Sequence, residues 1–289
     1  MMNEQEEGFQ EVYTLGRKTA GVRKGDSLAS EEARARANMY RFLSAIFLNP
    51  PQQGFLEQIA DKNSLKELSM LFGEKVVSGL KEFTATAPLD KELASLKQEY
   101  MDLFAVPTGR YVTPIEDVHR GITIDGKQER GPLLGKRAIA VTRIYREAGA
   151  EMDETCKELP THIGVELSFM SFLCEREVWT IRNEEKGSLL DQEKTKTMDS
   201  NRYRQLQLKF LQAHLNEWFP QLNQSIQANA KNPFYRSLAL ITEAFLAQDT
   251  ASLSSQLDLE REMQAQRTSM NPQEGGKSGG SRYFEYSTE

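Results

Sequence analysis

Cysteine is scarce in this chain, which has only Cys156 and Cys174 among 289 residues. Their spacing forms neither a Cys-x-x-Cys pair nor a disulfide framework, so a reducing compartment is expected. No apolar run approaches the roughly 18 residues that would span a bilayer. The N-terminus lacks the apolar segment of a secretory signal. These absences predict a cytoplasmic protein with no stable membrane insertion.

The motifs of the common nucleotide-binding and hydrolytic sites are also missing. The sequence has no GxxxxGK[ST], GxGxxG or GxSxG pattern. Its 36 Lys and Arg against 42 Asp and Glu give a net charge of −6. Phosphate binding needs a clustered basic face, so nucleic acid is not an expected partner. A hydrophobic content of 39% is ordinary for a globular protein.

Helical periodicity dominates what is present. Apolar residues recur at three- and four-residue spacing across 33–47, and the Asn-Pro-Pro at 49–51 ends that segment. Pro132 suits the first turn of a helix, Thr161 is expected to cap one, and Pro220 to end one. The same pattern predicts further helices across 55–71, 76–83, 88–104, 132–149, 161–181, 202–219 and 233–259.

The domain organisation follows from this pattern. Strand-like alternation never lasts more than a few residues, and 121–130 is expected to be an exposed loop. The fold class is therefore all-α, with a single-domain helical bundle over 29–255. Residues 1–28 and 256–289 are polar and lack a sustained apolar period, which predicts a disordered arm and a disordered tail.

Four short blocks have recognisable forms. The first is EYMDLF at Glu99–Phe104, followed by Pro107. The second is PIEDVH at Pro114–His119, the third is HIGVELSFM at His162–Met170, and the fourth is NPFY at Asn232–Tyr235. In this order and spacing they resemble the TorD/DmsD/NarJ-type family of cytoplasmic chaperones for molybdenum enzymes, whose corresponding blocks read EYxxLF, PYESVY and DHIxxELxFM.

The resemblance covers roughly residues 33–250 and implies a non-enzymatic role. Such chaperones bind the twin-arginine signal, or an equivalent N-terminal segment, of a molybdopterin-containing oxidoreductase catalytic subunit. They hold it in the cytoplasm while its cofactor is inserted, before export. The resemblance implies no cofactor for the chaperone, which contacts the client's molybdenum cofactor at most transiently. It leaves open whether the protein is a monomer or a dimer.

The segments 99–119 and 159–173 are predicted to form one peptide-binding trough. In this sequence Thr161 stands where the family has an aspartate, so Glu116 and Asp117 are expected to supply the carboxylate for a peptide arginine. Tyr100 and Phe104 fit helical core packing as well as a peptide groove. The predicted peptide-binding residues are Tyr100, Phe104, Pro114, Glu116, Asp117, His119, Thr161, His162 and Glu166.

Three alternatives remain open from the sequence. One is a NarJ-like assembly chaperone whose client subunit is not exported. Another is a metal-dependent hydrolase built from His119, His162 and Glu166, although no HExxH motif occurs. A third is a helical scaffold or regulatory subunit. Glu166 lies in an apolar helix and is expected to need a buried partner such as an arginine, whereas His214 is expected on a helix surface.

Overall fold

The computed structural model describes residues 27–86, 88–185 and 198–270, which are mostly helical. The predicted all-α class is confirmed. A π-helical turn, Met101–Ala105, extends the helix Leu89–Tyr100, and a second, Leu211–Leu215, joins Ser200–Phe210 to Asn216–Asn229. The α-helices in chain order are α1 (Leu28–Leu48), α2 (Gln53–Ala60), α3 (Lys62–Phe72), α4 (Glu74–Thr86), α5 (Leu89–Tyr100), α6 (Glu116–Arg120), α7 (Lys136–Glu147), α8 (Ile163–Glu185), α9 (Ser200–Phe210), α10 (Asn216–Asn229) and α11 (Pro233–Met270).

A small hairpin replaces part of the predicted loop at 121–130. Strand β1 (Ile122–Ile124) pairs antiparallel with β2 (Lys127–Glu129). The two turn residues, Asp125 and Gly126, both have positive φ, at 50° and 76°. An Asp-Gly pair suits such a two-residue turn. The strands are too short for their alternation to be visible in the sequence.

Two helix boundaries predicted from prolines, and the predicted Thr161 cap, are wrong. Helix α7 begins at Lys136, four residues beyond Pro132. Pro220 lies inside α10 and does not end the helix. The side chains of Trp218, Phe219 and Leu222 around Pro220 are buried, so tertiary packing keeps this segment helical despite the missing N–H. At the start of α8, His162 Nδ1 accepts the Gly164 N–H at 3.0 Å, while the buried Thr161 Oγ1 has no partner.

One cluster of buried apolar side chains extends from Ala37 in α1 to Leu253 in α11. At its centre α1 packs closely along α8. A Cβ at Gly164 would lie 2.5 Å from Leu48 Cγ, so only glycine permits this approach. Ser44 Oγ donates to the Gly164 carbonyl at 2.7 Å across the same contact. The bundle thus brings the start of α8 against the end of α1.

The C-terminal helix opens at Pro233 as predicted and continues to Met270, beyond the expected end near Leu259. The rest of the predicted tail, 271–289, and residues 1–26 of the predicted arm lie outside the described residues. Across the part of the chain that the structure describes, none of the helices has the length and apolar character needed to cross a membrane.

Candidate functional site

The second and third sequence blocks meet in space. Ile115 forms an isolated antiparallel bridge with His162. The Glu116 N–H donates to the Thr161 carbonyl, and the Ile163 N–H donates to the Pro114 carbonyl, each at 2.9 Å. Helices α6 and α8 both begin at this bridge. We call residues 114–116 and 161–163 the motif junction; it brings together the segments that the sequence placed in one trough.

Asp117 is buried and holds the start of α7. Its carboxylate accepts the backbone N–H groups of Arg137 and Ala138, at 3.3 and 3.0 Å. A Cβ at Gly131 would lie 1.9 Å from the Asp117 carbonyl oxygen, and one at Gly135 would lie 2.3 Å from Asp117 Oδ1. The connection to α7 therefore wraps around Asp117, whose carboxylate acts as a distant helix cap.

Glu116, at one end of the motif junction, is fully buried and is held by two donors. Arg120 Nη1 donates to its carboxylate at 2.8 Å, and His214 Nδ1 donates at 3.0–3.1 Å. Burial alone would raise the pKa of Glu116, but the hydrogen bonds and charges of His214 and Arg120 outweigh it and lower that pKa. In this conformation a peptide reaches the carboxylate of neither Glu116 nor Asp117.

Glu166 lies beside Glu116 and is also fully buried. Trp218 Nε1 donates to Glu166 Oε2 at 3.0 Å, while Oε1 has no hydrogen-bond partner. Burial, and then the charge of Glu116, raises the pKa of Glu166 well above its ordinary value. The expected buried partner is present, but it is the Trp218 indole rather than an arginine.

His214 is buried and was wrongly expected on a surface. It belongs to the π-helical turn Leu211–Leu215. Such a turn holds an extra residue, so a period of 3.6 misplaces the side chains around it. Potential ligand atoms of Glu116, Glu166 and His214 lie within 4.8 Å of one another. We call these three residues the carboxyl cluster; neither His119 nor His162 belongs to it, which removes the predicted hydrolase site.

The two other histidines have separate roles. His119 Nε2 donates to the Thr113 carbonyl at 2.7 Å, and burial lowers the pKa of His119. Burial lowers the pKa of His162 to about 4, so this imidazole is neutral at pH 7. Because its Nδ1 accepts a backbone N–H, the proton lies on Nε2, which faces Glu158 Oε2 at 3.7 Å.

Tyr100 and Phe104 belong to the core. The Tyr100 hydroxyl donates to the Phe47 carbonyl at 3.0 Å. The Phe104 ring packs edge-on against Phe47 and Tyr235, with centroids 5.7 and 5.8 Å apart. Tyr100 and Phe104 therefore pack in the core, which is one of the two roles predicted for them.

An accessible acid nevertheless lies beside the motif junction. The Glu158 side chain is 46% exposed. Burial raises the pKa of both Tyr100 and Tyr111, and the charge of Glu158 raises both further. The segment that carries these tyrosines also exposes Met101 and Val106, by 40% and 39%. We call Tyr111 and Glu158, whose side chains interact electrostatically, the Glu158 surface.

Sequence reasoning missed Glu158, although a signal was present. Glu151, Asp153, Glu154 and Glu158 precede the third sequence block, with Lys157 as the one intervening base. All of them are exposed in the structure. The loop therefore supplies local negative charge at the edge of the motif junction.

The described part of the chain is thus a helical bundle that buries most of its motif residues and exposes Glu158 beside them. The nitrate reductase delta subunit family matches residues 72–224. The chain belongs to this family, which confirms the resemblance drawn from the sequence blocks. The relatives described next are named as chaperones, in agreement with the non-enzymatic role that the resemblance implies.

Three curated relatives show the breadth of the similarity. The perchlorate reductase assembly chaperone protein of Dechloromonas aromatica is 25% identical over 219 residues, which cover 75% of this chain and 88% of the relative. The chaperone protein TorD of Shewanella piezotolerans is 22% identical over 235 residues, covering 77% and 94%. The selenate reductase assembly chaperone protein of Thauera selenatis is 24% identical over 136 residues, covering 46% and 58%.

Proposed function

We propose that this protein is an assembly chaperone for a molybdopterin-containing oxidoreductase. It binds the N-terminal signal or leader segment of the catalytic subunit in the cytoplasm and assists cofactor insertion before export. Family membership and the relatives named as reductase assembly chaperones support the role. The exposed Glu158 surface beside the motif junction supports the peptide-binding step, and it is the observation on which the proposed site rests.

Glu158 takes the role that the sequence assigned to Glu116 and Asp117. A leader segment combines basic residues with an apolar stretch. The Glu158 carboxylate suits the basic residues, since charged hydrogen bonds to guanidinium groups are strong and directional. Met101 and Val106, exposed on the segment that carries Tyr111, suit the apolar stretch. His162, from the predicted set, lies next to this surface, with its Nε2 3.7 Å from Glu158 Oε2.

Typical free energies indicate how much the apolar residues and Glu158 should each contribute to binding. Burying an apolar side chain contributes about 1.5–3 kcal/mol when complete. An exposed ion pair contributes about 0–1 kcal/mol and weakens with salt. We therefore expect the apolar contacts to supply most of the affinity, while Glu158 sets the orientation and the preference for a basic leader.

The test uses the full chain and a synthetic twin-arginine leader from a molybdopterin oxidoreductase of the same host. Isothermal titration calorimetry at low salt should show about a fivefold loss of affinity for Val106→Ser, and a loss of up to about fivefold for Glu158→Gln. Only the Glu158→Gln effect should shrink at high salt. Glu175→Gln is the matched control, because that glutamate is 48% exposed and lies farther along α8.

Unchanged affinity in both variants would reject the Glu158 surface and Val106 as the binding site. The same titration also tests the alternative of a NarJ-like chaperone whose client subunit is not exported. This alternative is worth testing because Glu116 and Asp117, which were expected to bind a peptide arginine, are hydrogen-bonded within the chain instead. A leader whose two arginines are replaced by glutamine should bind more weakly; equal binding would support the NarJ-like alternative.

A further inference from the structure

The carboxyl cluster joins three parts of the bundle at one buried point. Glu116 comes from α6, Glu166 from the first turn of α8, and His214 from the π-helical turn before α10. One potential ligand atom from each lies within 4.8 Å of the others. Two carboxylate oxygens and an imidazole nitrogen are ligands typical of zinc and neighbouring transition metals.

Neighbouring donors leave part of this cluster unsatisfied. Trp218 Nε1 donates to Glu166 Oε2 and Arg120 Nη1 to Glu116 Oε1, while His214 Nδ1 lies within hydrogen-bond distance of both Glu116 oxygens. Glu166 Oε1 is buried without a hydrogen-bond partner. Its carboxyl neighbour, Glu116, is an acceptor like itself, so their contact requires a proton or a cation between them. A buried polar atom with neither carries a substantial desolvation cost.

We propose that Glu116, Glu166 and His214 bind one Zn²⁺-class divalent ion that links α6, α8 and the turn before α10. Trp218 and Arg120 then act as orienting neighbours, each fixing one carboxylate oxygen and leaving the other for the ion. The two carboxylates balance the charge of the ion. The Arg120 charge is shared with the half-exposed Glu217, whose Oε2 lies 3.8 Å from Arg120 Nη2.

The competing occupant is a single proton. Without an ion, burial and the Glu116 charge favour the protonated form of Glu166, because its pKa is raised. Binding of Zn²⁺ displaces this proton, and it also requires the Nδ1 proton of His214, which otherwise donates to Glu116, to move to Nε2 so that Nδ1 can bind the ion. The proposed ion has a structural role, and this proposal does not depend on leader binding.

The experiment loads Zn²⁺ during refolding, because the cluster is buried. Untagged full-length protein is unfolded in urea with chelator, then refolded with or without one equivalent of Zn²⁺ and passed through a desalting column. Elemental mass spectrometry of the protein refolded with Zn²⁺ should give about one zinc per chain. The zinc-refolded protein should also have a higher Tm, since an ion bound only by the folded state stabilises it.

Glu166→Gln should lower the Zn²⁺ affinity at least tenfold, while its amide preserves the shape of the protonated carboxyl. His214→Asn should do the same. His119→Gln is the matched control, since His119 also contacts Trp218, at 5.5 Å between ring centroids, but lies outside the cluster. Far-UV circular dichroism checks each fold, and Glu166→Gln decides if His214→Asn does not fold. The proposal would be overturned if refolded wild type contained no zinc, or if His119→Gln lost as much zinc as the cluster variants. Either result would mean that a proton, and not an ion, lies between the two carboxyl groups.

Discussion

Helix α8 carries two buried polar clusters, and they differ in how their charges are matched. The first, the arginine cluster, consists of Arg36, Glu177, Arg204 and Asp249. Arg36 contacts Asp249 Oδ1 at 2.5 Å and Glu177 Oε2 at 3.2 Å. Arg204 Nε contacts Glu177 Oε1 at 2.7 Å. Two guanidinium groups thus face two carboxylates in fixed positions.

The carboxyl cluster, about 16 Å away along the axis of α8, lacks this match. Glu116 has two donors, but Glu166 has only the uncharged Trp218 indole and one unpartnered oxygen. A buried pair without a full set of partners changes protonation or binds a cation, because an isolated charge in the interior is too costly. The comparison separates a cluster that joins helices from one that is suited to a ligand.

The largest effect is expected in the arginine cluster, whose charges are matched. Arg36→Met leaves two buried carboxylates facing each other, and removing one partner of such a network costs about 3–5 kcal/mol. Arg41→Met is the control on the same helix, since Arg41 pairs with exposed Glu175 and should cost about 0–1 kcal/mol. Urea unfolding measures both. An Arg36→Met cost no larger than that of the control would remove the structural role of the arginine cluster.

A smaller effect is expected at Asp117, whose carboxylate is satisfied by backbone N–H groups as well as by Arg137. Asp117→Ala removes the cap of α7 and should cost about 1–2 kcal/mol. Hydrogen exchange should show faster exchange of the Arg137 and Ala138 amides. Asp153→Ala, at an exposed carboxylate bonded to Thr155, should leave those amides unchanged. Unaltered exchange in Asp117→Ala would contradict the capping role.

The smallest effect is a pH dependence in the carboxyl cluster, measured with chelator present. The folded-state pKa of Glu166 is raised, so the folded protein binds more protons than the unfolded chain above the ordinary pKa of a glutamate. The stabilising contribution of this proton is complete at low pH and is lost as pH rises through the folded-state pKa. Glu166→Gln should therefore gain stability relative to wild type between pH 5.5 and pH 8.

Urea unfolding at the two pH values measures this difference. Glu116, Asp117, His214, Arg120 and Tyr145 also surround Glu166, but all five are present in both proteins. An identical pH dependence in wild type and Glu166→Gln would mean that Glu166 does not carry the extra proton.

Much of the helical framework could be predicted from local pattern. Apolar spacing located α1, and Pro233 correctly marked the start of α11. The four sequence blocks led to the correct family. Helix boundaries failed where the local rule was overridden, as at Pro220, where buried neighbours keep the segment helical. Local periodicity succeeds because a helix must bury one face, whatever it packs against.

The environments of the polar residues were decided by the tertiary structure. Glu116 and Asp117 read as accessible acids, yet partners from distant segments bury both: His214 lies 98 positions away, and the Arg137 amide lies 20 positions away. Glu158 had no motif to mark it, but folding left it exposed beside the motif junction. A carboxylate can be buried or exposed in the same local sequence, because its desolvation is offset only by donors that the fold brings to it.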